Sequence, residues 1–373
     1  IEKMNVVLQK NNKSIHCLEG KPLDVFSELI KKYRINKVYT NRDYTPYSKK
    51  RDTSISKFLK KNNIEFIDFK DHVLFEKNEI TKDDGSPYRV YTPYSKKWIK
   101  KMNELGVQEY NSEKLIDNFI DINTIPFNSK INIIISDINF LKTNISEKII
   151  ENYESTRNFP SLDATSKAGV KLRFGTISTR KLIQKASRSN NNTYLKELIW
   201  REFFQQILYH FPNTITKSFK PQYDRIEWIN NEEDFKKWCN GETGYPLVDA
   251  GMRELNNTGF MHNRVRMLVG SFLCKHLLID WRWGEAYFRE KLYDYETASN
   301  VGNWQWVAGC GVDAAPYFRI FNPHEQIKKF DKDFTYIKKW VPEYKDFDYP
   351  KEIIDHKYAR ERCLITYKKA LNN

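Results

Sequence analysis

The sequence predicts an α/β domain built on a Rossmann-like parallel sheet, followed by a larger all-α domain. Three observations carry this. Before residue 108, β-like runs alternate with helix-like runs over short connections, the pattern of strands joined by crossover helices. From Ser146 onward the periodic signals are helical, with Pro or Gly at the breaks. Across 373 residues the composition is 40% hydrophobic and 14% aromatic, which fits a folded chain with room for two cores and not a disordered one. The expected division is an α/β domain over 1–108, a linker over 109–145 and a helical domain over 146–373.

In the first domain, Leu23–Tyr33 reads as an amphipathic helix and Lys37–Thr40 as a short strand. Arg51–Asn62 reads as a second helix and Glu65–Phe69 as a second strand. Ile1 and its neighbours read as the end of a strand or helix. No GxGxxG or GxxxxGK[ST] run is present, so neither a dinucleotide fingerprint nor a P-loop is expected. Asp83–Lys101 holds turn residues, then Thr92-Pro93-Tyr94 ahead of a basic amphipathic run. Glu109–Leu141 is rich in Asn and Ile. Its strand-like Ile133–Ser136 has no evident partner.

No apolar run reaches bilayer-spanning length, and the polar start is not a secretory leader. Five scattered cysteines without metal-ligand spacing read as reduced thiols of a cytoplasmic protein, with no metal site expected. The net charge of +14 favours a polyanionic partner such as nucleic acid, although abundant Lys, Asn and Ile throughout also fit compositional drift.

Four runs in the helical half stand out. Thr165–Gly169 (TSKAG) reads as a helix start whose backbone N–H groups and Lys167 suit a diphosphate, or equally as an ordinary N-cap. Tyr194–Phe211 is a strong helix with Glu197, Trp200 and Phe204 on one face. In Gly241–Met267, Asn263 and Met267 lie one turn apart, with Arg264 and Arg266 on neighbouring faces. Asn263 suits a pyrimidine edge and Met267 a nonplanar apolar surface, or the two are a structural Asn and a core Met. Tyr293–Phe330 places Trp304 and Trp306 beside small residues and Asp294, Glu296, Asn300, Asp313 and Arg319. Such a run fits either a flat ligand or a tight helix–helix contact.

Asn300, the NWQW around Trp304 and Trp306, and DAAPYFRIFNP (Asp313–Pro323) resemble the flavin-binding core of the DNA photolyase/cryptochrome family. The ELIWREF run from Glu197 and the GYP-x-VDA-x-MR-x-L…TG-x-MHNR run ending at Arg264 extend the resemblance over nearly the whole chain. It implies a helical FAD-binding domain whose reduced, anionic flavin is the active form. FAD contacts would fall on Tyr153, Thr165, Ser166, Lys167, Ala168, Gly169, Tyr194, Arg201, Arg266, Asp294, Tyr295, Glu296 and Asn300. Gly169 stands where the family has Ser, and Glu296 where many members have Asp. Arg266 paired with Asp294 would offset the flavin's charge, and Asn300 would face its N5 atom.

The resemblance also implies a partner, DNA carrying a pyrimidine dimer, bound by a monomer. Glu197 and Asn263 would line the polar side of the lesion pocket, Trp200, Trp306 and Met267 its apolar side, and Arg157 and Arg264 would hold flanking phosphates. Trp304, Trp281 and Trp228 match an electron relay. Enzymes acting on six-four photoproducts carry His at the positions of Asn263 and Met267, so the pattern resembles the cyclobutane-dimer branch of class I bacterial type. The rival expectation is a cryptochrome-like blue-light sensor, and a weaker third is a non-catalytic nucleic-acid binder. Against the family pattern the first strand is absent. Arg42 also replaces an acidic residue near the place of a folate or deazaflavin antenna, which counts against an antenna here.

Overall fold

The computed structural model describes residues 1–122 and 142–372. The strand-like Ile133–Ser136 lies outside the described residues. Contacts divide the chain into two compact units, one of the described residues in Ile1–Asp71 and Val107–Asn139, the other of those in His72–Gly106 and Phe140–Asn373.

The first unit is a small βαβ arrangement. Strands Lys37–Asn41 and Glu65–Phe69 pair in parallel, Lys37 opposite Glu65 and Asn41 opposite Phe69. They are joined by the helix Pro46–Lys61, which starts five residues before the expected Arg51 because Thr45 caps it. The Thr45 hydroxyl accepts from the Ser48 N–H at 3.3 Å, and Pro46 occupies the first turn, where its missing N–H costs nothing. Ile55, Leu59 and Ile64 are buried beneath this crossover with Phe26, Ile30 and Val38 packed around them. The opening residues Glu2–Gln9 form a helix. Lys13 donates to the Phe119 carbonyl at 2.7 Å and to Asp121 at 2.8 Å, so the start of the expected linker packs on this unit.

The second unit is helical, and it takes in residues 72–106, which the sequence groups with the α/β part. The reason is a row of polar side chains on one face of the helix Thr193–His210. Glu202, Gln206 and His210 are spaced four apart and receive backbone of the incoming segment. The Glu202 carboxylate accepts from Leu74 N and Phe75 N at 2.8 Å each and from Trp98 Nε1 at 2.7 Å. Gln206 Nε2 donates to the Ile80 carbonyl at 2.7 Å, and the His210 ring meets the Lys77 carbonyl at 3.2 Å. Burial holds the Glu202 carboxyl up at about 7, while its three N–H donors pull the other way.

The main core gathers Trp238, Met252, Val269, Phe272, Leu273, Trp281, Trp304 and Tyr367, all nearly inaccessible. No helix among the described residues is long and apolar enough to cross a membrane. All five cysteines are free.

Candidate functional site

A cavity of ≈ 350 Å³ opens within the helical unit, inside the size range of small-molecule sites. Four helices build it, namely Thr193–His210, Asn263–Ser271, Trp281–Lys291 and Thr297–Ala308. Trp200, Phe204, Phe288, Trp304 and Trp306 form apolar walls, and Glu197, Arg266, Asp294 and Asn300 supply polar groups between them.

The polar end is organised around Arg266. Its Nη2 donates to Asp294 Oδ2 at 2.9 Å and its Nε to the Met261 carbonyl at 2.7 Å, which fixes the guanidinium plane. The other Asp294 oxygen, Oδ1, is buried and has no hydrogen-bond partner, an acceptor that a bound group's donor would satisfy. Gly169 lies against the same carboxylate; a Cβ there would stand 2.9 Å from Asp294 Cβ and Oδ2. The glycine that departs from the family's Ser therefore makes room for Asp294. A flat aromatic cavity with a fixed cation and an unmatched acceptor fits a flavin.

Asn300 is oriented by a residue the sequence did not point to. Its Nδ2 donates to Glu285 Oε1 at 3.1 Å and to the Glu285 carbonyl at 3.3 Å, and Tyr295 OH donates to the same Oε1 at 3.2 Å. Glu285 is itself buried. Glu296 lines the cavity but spends both oxygens capping the helix Thr297–Ala308, accepting from Ala298 N and Ser299 N at 2.9 Å each. Arg201 also lines it and donates to the His72 carbonyl at 2.5 Å; burial lowers its pKa.

At the other end, Glu197 forms an ion pair with Arg157, and both line the cavity. Trp200 is stacked on Tyr91, ring centroids 3.7 Å apart. Asn263 is exposed in the first turn of its helix, with Met267 one turn on, and both line the cavity. Ahead of them His262 Nδ1 accepts from Arg264 N at 3.2 Å; burial and the surrounding arginines depress this imidazole to about 4, so it stays neutral. Arg264 does not line the cavity. It donates to Asn158, stands over the Phe330 ring at 4.4 Å, and reaches Met267 Sδ at 3.7 Å.

Most of the other expected residues are not among those that line the cavity. Ser166 is buried and accepts from Tyr194 OH at 2.9 Å, and Tyr194 packs edge-on to Tyr153 at 5.1 Å. Lys167 has a φ of +49° and pairs with Asp163 at 2.6 Å. Thr165 is half-buried and Ala168 buried; the helix that follows, Gly169–Arg173, is only five residues long. Of the three relay candidates, Trp304 forms a cavity wall, Trp281 is buried, and Trp228 is half-buried against Tyr367, centroids 6.0 Å apart. Gly284, one turn beyond Trp281, admits the Trp304 indole; a Cβ there would stand 2.1 Å from it.

Sequence reasoning missed Tyr91 and Glu285. Tyr91 sits in a run read only as turn residues ahead of a basic amphipathic stretch. Glu285 carried one signal, a carboxylate on the inner side of an aromatic helix (WRWGEAYF).

Known proteins resemble this chain over most of its length. Residues 194–348 match the FAD binding domain of DNA photolyase, and residues 1–112 match the DNA photolyase family. The deoxyribodipyrimidine photo-lyase of Alkalihalophilus pseudofirmus is 34% identical over 97% of this chain and 85% of its own length. A bacterial class III photolyase from Agrobacterium tumefaciens superposes with a TM-score of 0.81 at 33% identity, covering 99% of this chain and 86% of that one. A Synechocystis cryptochrome gives 0.83 at 26% identity, covering 98% and 86%. The chain belongs to the DNA photolyase/cryptochrome family. It is an enzyme of the photo-lyase class, and its cofactor is FAD.

Proposed function

We propose that the protein repairs cyclobutane pyrimidine dimers in DNA under blue or near-UV light, acting as a monomer in the cytoplasm. The observation that supports this most is one cavity that carries the flavin-type polar end, Arg266, Asp294 and Asn300, together with Glu197, Trp200, Asn263, Met267 and Trp306. When bound in its reduced, anionic form, FAD supplies the light absorption and the single electron that opens the cyclobutane ring and is then returned, so the net redox change is zero.

The chain's own residues do the rest. Arg266, held by Asp294 and the Met261 carbonyl, would offer a fixed positive charge to the anionic flavin. Glu285 takes the Asn300 amide nitrogen, so the amide oxygen would be the group that accepts from an N–H of bound flavin. A dimer is poorly stacked in its duplex, so turning it out costs less than for normal bases. Trp200 and Trp306 offer flat apolar walls to the extruded lesion, while Glu197 and Asn263 accept and donate at its polar edges. Met267, and not an imidazole, stands one turn beyond Asn263, so the pocket has no acid–base pair for a six-four photoproduct. Arg157, Arg264 and Arg319 form a cationic rim that suits phosphates and sets register without reading sequence; burial, then repulsion from Arg157 and Arg319, lowers the Arg264 pKa. Trp304, Trp281 and Trp228 would resupply electrons from the surface.

A blue-light sensor is the second reading, favoured by the similarity to the Synechocystis cryptochrome. Illuminating reduced protein with two oligonucleotides, one bearing a cyclobutane dimer and one a six-four photoproduct, separates the readings. Repair of the first alone is expected. Repair of neither by FAD-loaded protein would favour the sensor.

A further inference from the structure

Lys275 is 1% exposed, on the π-helical turn Phe272–His276, and no carboxylate is ion-paired with it among the described residues. A buried ammonium in a native protein almost always has a counter-ion, so its retention here calls for a purpose. Its one hydrogen bond runs from Nζ to the backbone carbonyl of Arg319 at 2.8 Å. The titratable and charged groups around it offer nothing more. Cys274 and His276 on its own turn, Cys363 from the helix His356–Asn372 and Cys310 beyond the helix Thr297–Ala308 are all neutral, since burial raises the thiols and depresses the imidazole to about 3. Arg319 adds repulsion.

The far end of this contact is the rim of the proposed DNA face. Arg319 is exposed, its guanidinium stands 5.5 Å over the Phe321 ring, and it repels Arg264. Its neighbour Phe318 is 61% exposed. The rim backbone is therefore tied to the core by a cation whose only polar partner among the described residues is the carbonyl of the residue that presents the charge.

We propose that Lys275 is a positioning residue, its buried ammonium fixing the Arg319 backbone so that Arg319 and Arg264 meet a DNA phosphate together. The proposal rests on the DNA-repair reading of the cavity. Apolar side chains of similar volume often replace buried charges without loss of stability, so the charge here is kept because it orders the rim. Burial lowers the Lys275 pKa to about 8, so the latch is engaged below that pH and weakens above it.

The test uses full-length, FAD-loaded protein and a fluorescent duplex carrying one thymine dimer, with binding followed by anisotropy at pH 7 and pH 9. Wild type is expected to bind about tenfold more weakly at pH 9, the loss of one charge-assisted hydrogen bond. Lys275→Met is expected to start about tenfold weaker at pH 7, with a flat profile and unchanged flavin absorbance. Arg319→Gln is expected to weaken binding and lower the salt slope by about one phosphate. If Arg319→Gln changes neither affinity nor slope, the rim reading fails and the proposal with it. If Arg319→Gln weakens binding but Lys275→Met matches wild type at both pH values, the rim reading stands and Lys275 has no positioning role. Should Lys275→Met not fold, the wild-type profile decides, and equal affinity at the two pH values overturns the proposal.

Discussion

The Tyr91 ring lies flat on the Trp200 indole, with centroids 3.7 Å apart and planes within 5°. Tyr91 is itself immobilised, since its hydroxyl donates to the Lys196 carbonyl at 2.8 Å and its N–H to Asp313 Oδ2 at 3.0 Å. One face of Trp200 is thus backed by a fixed ring, while Trp200 still lines the cavity. A platform braced in this way loses little freedom when a base stacks on it, so less binding energy goes into ordering it.

Tyr91→Leu should therefore weaken binding of a dimer-containing duplex about 3- to 10-fold, the worth of one aromatic pair, while flavin content is kept. Tyr91→Phe retains the stack and should stay close to wild type. Anisotropy titrations of the two variants check this; equal loss in both would assign the effect to the hydroxyl.

Glu197 is expected to act on the lesion and not on the cofactor. Glu197→Ala removes a hydrogen-bonding carboxylate and frees Arg157, so affinity for a dimer-containing duplex should fall about tenfold and the repair quantum yield should drop with it. Flavin absorbance of the purified variant should match wild type. A parallel loss of flavin would contradict the role given to this carboxylate.

Gly169→Ser would bring back the family's residue yet is expected to harm this protein. The new Cβ would stand 2.9 Å from the Asp294 side chain and displace the partner of Arg266. A cost of about 1–3 kcal/mol is expected, read as a lower ratio of flavin to protein absorbance and a lower Tm.

Glu202 should write a pH dependence into stability. Its carboxyl is raised from 4.5 to about 7 by burial, so the folded state keeps a proton that the unfolded chain gives up. Its contribution to stability is then full below pH 4.5 and is lost as pH rises to about 7, roughly 3 kcal/mol from this group alone. Glu202→Gln should remove that slope from urea melts taken across the range. It should also lower stability overall, because the Gln NH₂ would oppose one of the three N–H donors.

Much of this site could be read from the chain because its motifs are local. Glu197 and Trp200 share one helix and Asn263 and Met267 one helical turn, so spacing set each pair on a common face, while Asn300, Trp304 and Trp306 on another helix were marked by the family resemblance. The strand Glu65–Phe69 and the helices Pro22–Lys32 and Thr193–His210 emerged within a residue of expectation for the same reason. What could not be read was pairing between distant segments. Tyr91 meets Trp200, Gly169 meets Asp294 and Glu202 meets Leu74 and Phe75 only through tertiary packing, and no local period marks such pairs. The packing of residues 72–106 against this helix could not be read for the same reason. The signal that could have found it was the row Glu202, Gln206 and His210, polar side chains at helical spacing within an otherwise apolar run.

The central claim is light-driven cleavage of the dimer in this cavity. Its most direct test is to mix reduced, FAD-loaded protein with an oligonucleotide bearing one thymine dimer and follow dimer loss under near-UV or blue light against a dark control. Loss in the light alone is the expected result. An intact dimer after illumination, with FAD bound and reduced, would contradict the account.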